Sequence, residues 1–126
     1  MALTSHRSKR KMTGGRYQSF RKKRVYEIRN RPVLTRIAAL KLKVIRGVGG
    51  NVKRRLLAGD TVSVYNPKTK KHSQEKVVSV VENTANRHFV RRNIITKGAV
   101  VETAKGNVKI TSRPGQIGAL SGVLVK

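Results

Sequence analysis

A chain of 126 residues has room for one domain, and its 30 Lys and Arg against 5 Asp and Glu give a formal net charge of +25. Such a chain repels itself and needs a polyanion as a standing partner, nucleic acid first and an anionic membrane surface second. Cysteine is absent, which excludes disulfides and thiolate metal sites, while 37% apolar residues exclude a wholly disordered chain.

The N-terminus, MALTSHRSKRKM, has no apolar segment, so no secretory signal is expected, and no run reaches the length of a transmembrane helix. From Ala2 to about Arg31 a single acid, Glu27, faces a dense basic series: Arg7, Lys9, Arg10, Lys11, Arg16, Arg21, Lys22, Lys23, Arg24, Arg29 and Arg31. No strand-like or helix-like apolar period runs through it, so this arm has no face to bury and is predicted to be disordered in isolation. Thr13-Gly14-Gly15 reads as a hinge. Tyr17 and Phe20 lie between two basic clusters, where rings can stack on exposed bases while cations hold the backbone.

Pro32 ends the arm's one candidate helical turn. Val33 to Leu42 is a transition in which Leu34, Ile37 and Leu40 allow a short helix, and Lys43 to Arg46 is predicted as the first strand. The loop Gly47-Val48-Gly49-Gly50-Asn51 lacks the third glycine of a dinucleotide fingerprint, with Val52 in its place. Two readings stay open: a loop or bulge between strands, or a glycine loop pressed against phosphates beside Lys53, Arg54 and Arg55.

From Val52 the pattern is that of strands. Val52 to Leu57 and Thr61 to Tyr65 flank Ala58-Gly59-Asp60, predicted as a tight hairpin, and Val62 and Val64 alternate with Ser63 and Tyr65. After the polar turn Asn66 to Lys71, Glu75 to Glu82 carries Val77, Val78, Val80 and Val81, apolar on both faces as a central strand would be. Asn86, Arg87, His88, Arg91 and Arg92 then form a cationic block around Phe89 and Val90. It leads into Ile94-Ile95, the predicted start of a buried strand reaching Thr103 with a kink at Gly98. On an extended chain Arg91 and Arg92 project to opposite faces. Guanidinium groups at the mouth of a rigid strand grip phosphates with paired hydrogen bonds that lysine cannot make. Asn107 to Thr111 turns Val108 and Ile110 inward, Arg113-Pro114-Gly115-Gln116 is a turn, and Gly122 to Val125 is the last strand.

The fold class is therefore all-β: a small antiparallel β-barrel of about six strands over residues 43–126, with a long basic N-terminal extension over residues 1–42. Catalytic chemistry finds little support. Glu27, Asp60, Glu75, Glu82 and Glu102 stand singly, His6, His72 and His88 share no metal-ligand spacing, and no Walker loop or nucleophile elbow occurs. No catalytic residue, metal, cofactor or small-molecule substrate is expected. The basic clusters point to nucleic acid.

The chain resembles the small-subunit ribosomal proteins numbered eight in the eukaryotic and archaeal series. The signature runs Arg10-Lys11-Met12-Thr13-Gly14-Gly15, then Arg21-Lys22-Lys23-Arg24 and Glu27, then Thr35-Arg36-Ile37 and Gly49-Gly50-Asn51 with Lys53 and Arg55. It continues with Ala85-Asn86-Arg87, Arg91 through Gly98, and Thr111 through Gln116. The compact C-terminal half is similar to the archaeal form. Departures are Tyr26 where a base is expected, Ile28-Arg29 for Leu/Met-Gly, and Thr84 and Ile117 where archaeal relatives typically carry Pro and Asp.

The resemblance implies a structural, non-catalytic constituent of the small ribosomal subunit, in the cytoplasm, bound to small-subunit ribosomal RNA and to neighbouring ribosomal proteins, with no membrane association. The expected RNA-binding residues are Arg7, Lys9, Arg10, Lys11, Gly14, Gly15, Arg16, Tyr17, Arg21, Lys22, Lys23, Arg24, Arg36, Lys53, Arg55, Asn86, Arg87, His88, Arg91, Arg92 and Arg113. An architectural DNA-binding protein, a ribosome-biogenesis factor and an RNA-modifying enzyme or its accessory subunit are the competing readings.

Overall fold

The computed structural model describes Thr4 and residues 6–125. The chain forms two compact units, Met1–Pro32 and Val33–Lys126.

The first unit is built from turns. Gly14 N–H donates to the Lys11 carbonyl (3.0 Å) and Lys11 N–H to the Gly15 carbonyl (2.8 Å), closing a tight turn. Gly14 sits there at φ +83°, where a side chain would be strained. Isolated bridges pair Arg10 with Arg16 and Thr4 with Ile28, and a 3-10 turn spans Val25–Glu27. Among its described residues none is buried. The expectation of a segment with no face to bury agrees with this; Ala2, where the predicted arm begins, lies outside the described residues.

The second unit holds all the longer strands. Thr35–Arg36 (β1), Lys41–Arg46 (β2) and Val52–Ala58 (β3) come first. Instead of the short helix allowed over Val33 to Leu42, β1 lies parallel to β3, and its Thr35 hydroxyl, buried, donates to the Leu56 carbonyl at 2.7 Å. The boundary predicted after residue 42 therefore moves upstream, because β1 is already part of the packed unit. Between β2 and β3, Gly47 to Asn51 is a hairpin loop, with Gly47 N–H on the Asn51 carbonyl (2.6 Å) and Gly49 and Gly50 at φ +70° and +74°.

Next come Thr61–Asn66 (β4) and Lys71–Glu82 (β5). Gly59-Asp60 is not a hairpin turn. β3 pairs with β2 and β1, whereas β4 pairs with β5, so the chain changes sheet at this corner. Gly59 N–H donates to the Arg36 carbonyl (3.1 Å) and the Asp60 carbonyl accepts from Val77 N–H (2.7 Å), pinning one end to each sheet. In β5 only Val77 and Val80 face inward; Val78 and Val81 are 65% and 49% exposed, so the strand is not apolar-buried on both faces. The register against the next barrel strand shifts between Val77 and Ser79 and again between Val80 and Glu82, and such bulges let residues three apart share a face.

The chain ends with Arg87–Arg91 (α1), Ile94–Ile95 (β6), Val100–Thr103 (β7), Gly106–Ile110 (β8), Pro114–Ile117 (α2) and Ser121–Leu124 (β9). The single strand predicted from Ile94 to Thr103 is two: β6 pairs antiparallel with β1, and β7 pairs with β5 and β8. Five strands, β4-β5-β7-β8-β9, close the barrel, and β2-β3-β1-β6 form a separate four-stranded sheet, in place of one barrel of about six. The closing seam, β4 against β9, is parallel, so the barrel is not antiparallel throughout.

The core is aliphatic, as a chain without tryptophan requires. Val62, Val64, Val77, Val80, Val101, Val108, Ile110 and Leu120 fill the barrel, and Leu56 and Ile95 from the four-stranded sheet join the same cluster. No helix among the described residues is long and apolar enough to cross a membrane.

Candidate nucleic-acid interface

The arginine block is a helical turn rather than an extended chain. Asn86 caps it: its side-chain oxygen accepts from His88 N–H at 2.9 Å and its carbonyl from Phe89 N–H at 3.0 Å. Phe89 and Val90 are half-buried, Val90 against the barrel core, while Arg87, His88, Arg91 and Arg92 are exposed. The helical geometry changes the partnership of the arginines. Arg87 and Arg91 are four apart on a helix and so neighbours on one face, whereas Arg92 is the C-cap. Asn93 follows at φ +49°, a conformation asparagine tolerates, and turns the chain into β6. The signal for this turn was present as an asparagine before a short polar-apolar run, but five residues are too few for a period to show.

A second cationic element is the β2–β3 hairpin. Lys43 stands opposite Arg55, Ile45 opposite Lys53, Val44 opposite Arg54, and Arg46 opposite Val52. Lys43, Arg46, Lys53 and Arg54 are exposed; Arg55 is half-buried, and its Nε is buried without a partner. Like charges facing each other across strands are destabilising unless something neutralises them, and neither strand carries an acid. Lys43 and Arg46 escape the sequence motifs, yet pairing sets them on the same ribbon as Lys53, Arg54 and Arg55. The glycine loop closes the far end of this ribbon, which fits the loop-between-strands reading. Arg36, exposed on β1, pairs with Ala58 on one side and Ile94 on the other, so it lies between the ribbon's strand and the strand that follows α1. Arg113 is the exposed N-cap of α2.

The first unit collects the remaining residues. The Arg7 guanidinium lies 3.9 Å from the Tyr17 ring centre and Lys11 Nζ 5.6 Å, and the Arg21 guanidinium 5.0 Å from that of Phe20. The aromatics expected to stack on bases thus already carry cations, although Tyr17 stays 42% exposed. Together with Lys9 and Arg16 they line a cleft of about 270 Å³. Arg10 donates to the Gly14 carbonyl at 3.0 Å, which ties the Gly14-Gly15 turn to its own cation. Arg21 is bonded to Glu27 at 2.5 Å, and that bond, with Arg24 N–H on the same carboxylate, holds the Glu27 carboxyl below its ordinary range and raises Arg21. Arg21 therefore acts first inside the turn. Lys9, Lys11, Arg16, Lys22, Lys23 and Arg24 are exposed.

Comparison with known proteins matches the chain to one family. The family model described as Ribosomal protein S8e matches residues 4–125. The chain is 48% identical over 120 residues to the small ribosomal subunit protein eS8 of Nanoarchaeum equitans, covering 95% of this chain and 94% of that one. It is similar also to the eS8 proteins of Methanobrevibacter smithii, 46% identical over 99% of this chain and 100% of the relative, and of Methanosarcina barkeri, 44% identical over 94% and 95%.

Proposed function

The chain belongs to the ribosomal protein S8e family, and from that we infer that it is a structural, non-catalytic constituent of the small ribosomal subunit that binds and stabilises folded ribosomal RNA. Two modes of binding divide the work. The basic arm, taken to end at Pro32, supplies cations whose phosphate contacts release counterions and offset the entropy of ordering it. The barrel unit supplies oriented contacts from the α1 arginines, the β2–β3 ribbon, Arg36 and Arg113. Exposed Leu40, Val44 and Val48 offer aliphatic surface for neighbouring ribosomal proteins.

The observation that carries this reading is the placing of Arg87 and Arg91 on one face of a capped turn whose half-buried Val90 packs against the core. Two guanidinium forks on a stiff support select an RNA shape, whereas a flexible lysine senses little beyond charge. Arg87→Lys with Arg91→Lys keeps the charge and removes both forks. Its preference for small-subunit ribosomal RNA over a scrambled transcript of equal length should fall about tenfold, the size of one charge-assisted hydrogen bond, with affinity for the scrambled RNA little changed. Equal discrimination by the variant would reduce α1 to one more cationic patch. In cells the protein should sediment with the small subunit and survive a high-salt wash. A preference for duplex DNA over structured RNA at matched salt would favour the architectural DNA-binding reading instead.

A further inference from the structure

We propose that Asn83, which lies outside every motif noted in the sequence, is the positioning residue that orients the arginine turn for RNA; the proposal rests on the RNA-binding reading above. Asn83 is only 6% exposed, and its side chain is bonded on both sides. Its amide nitrogen donates to the Ile94 carbonyl at 3.1 Å, and its oxygen accepts from Ala85 N–H and from the Thr96 hydroxyl, each at 3.0 Å. One carboxamide thus joins the stem that leads into α1 to the stem that leaves it. Asparagine suits the task because it carries a donor and an acceptor on one short planar group.

A second asparagine braces the exit. Asn93, in its left-handed conformation, accepts from Val80 N–H at 3.3 Å, at the part of β5 where the ladder to β7 slips. The bulge frees a backbone donor and the asparagine takes it up. Between these two ties the α1 backbone has little freedom, and Val90 anchors its inner face. The directions of Arg87 and Arg91 are therefore set by groups that do not themselves reach the RNA. A buried carboxamide with three of its four bonds made is the kind of support that fixes geometry, since losing one partner leaves the other unsatisfied.

Substitution separates orientation from stability. Asn83→Asp keeps the acceptor for Ala85 and Thr96 but sets a carboxylate oxygen against the Ile94 carbonyl, which opens the exit stem. Asn83→Ala removes all three bonds, and Thr96→Val removes one should the Asn83 variants fail to fold. Val108→Ala, which thins the barrel core at a side chain that makes none of these bonds, is the control for stability alone.

Each full-length variant is titrated with small-subunit ribosomal RNA and with a scrambled transcript of equal length, and amide exchange is followed over Arg87 to Asn93. The Asn83 variants should lose about tenfold in preference, the size of one lost guanidinium contact, with scrambled-RNA affinity within about twofold of the parent and faster exchange through α1. Val108→Ala should melt lower and keep the preference. If Asn83→Ala keeps the parent's preference, or Val108→Ala loses as much, the positioning role is wrong while the RNA-binding reading stands. A parent that shows no preference overturns that reading and this inference with it.

Discussion

Removing residues 1–32 should lower the slope of log K against log salt by roughly 4 to 5, taking about six arm cations to meet one phosphate each at about 0.7 to 0.9 per contact. The segment holds eleven Lys and Arg, from Arg7 to Arg31, against Glu27 alone. About six of the eleven are counted because at least four are already engaged, Arg21 by Glu27, Arg10 by the Gly14 carbonyl, and Arg7 and Lys11 over the Tyr17 ring. Through these contacts the intact protein should lose about a thousandfold in affinity between about 50 and 200 mM salt, and the truncated one far less. The barrel should stay folded, since the described members of its core cluster belong to the second unit, Leu56 to Leu120 with Ile37, Val90 and Leu124 packed against it. Filter binding across a salt series reads the slope, and circular dichroism with thermal melting reads the fold. An unchanged slope would mean that the arm cations face water when RNA is bound.

What the sequence made legible was decided by how local the cause was. Val62 with Val64, and Val108 with Ile110, show the two-residue period of a strand with one face buried, and all four are inside. Val77 and Val80 break that period because bulges in β5 restore their common face, and a bulge is set by the partner strand rather than by β5. Strand pairing was hidden for the same reason. Gly59-Asp60 has the composition of a hairpin turn, yet β3 has β2 on one side and on the other a two-residue strand at Thr35–Arg36, too short to leave a pattern. The parallel seam joins Ser63 to Ser121 and Tyr65 to Val123, which nothing near either end announces.

The site follows the same rule. Charge identified its cations, because composition needs no geometry. Their arrangement depended on a capped turn of five residues and on Asn83, whose importance appears only once Ala85, Ile94 and Thr96 are seen around it. Lys43 and Arg46 gained a place in the interface through pairing alone.

Gly122→Ala should act in the opposite way to truncation, weakening the barrel and sparing the arm. Gly122 sits in β9 at the closure, opposite Val64 of β4 on the parallel side and Ile110 of β8 on the antiparallel side. A methyl group there would lie 2.6 Å from Val108 Cγ1 and 2.7 Å from the Lys109 carbonyl oxygen. Neither neighbour can withdraw, because Val108 is fully buried and β8 is held between β7 and β9. Overpacking of this kind in a closed wall costs about 3 kcal/mol. That is a large share of the roughly 5 to 15 kcal/mol by which a domain is stable, and it should lower the melting temperature by roughly 15 °C. Between the two melting temperatures the variant loses the support of α1 and of the ribbon, so its preference for small-subunit RNA over a scrambled transcript should vanish. The arm's cations are untouched, so its salt slope should stay close to that of the parent. Calorimetry and the two titrations at that temperature decide the matter. A variant that melts with the parent would show that β8 and β9 yield to a methyl group without opening the seam.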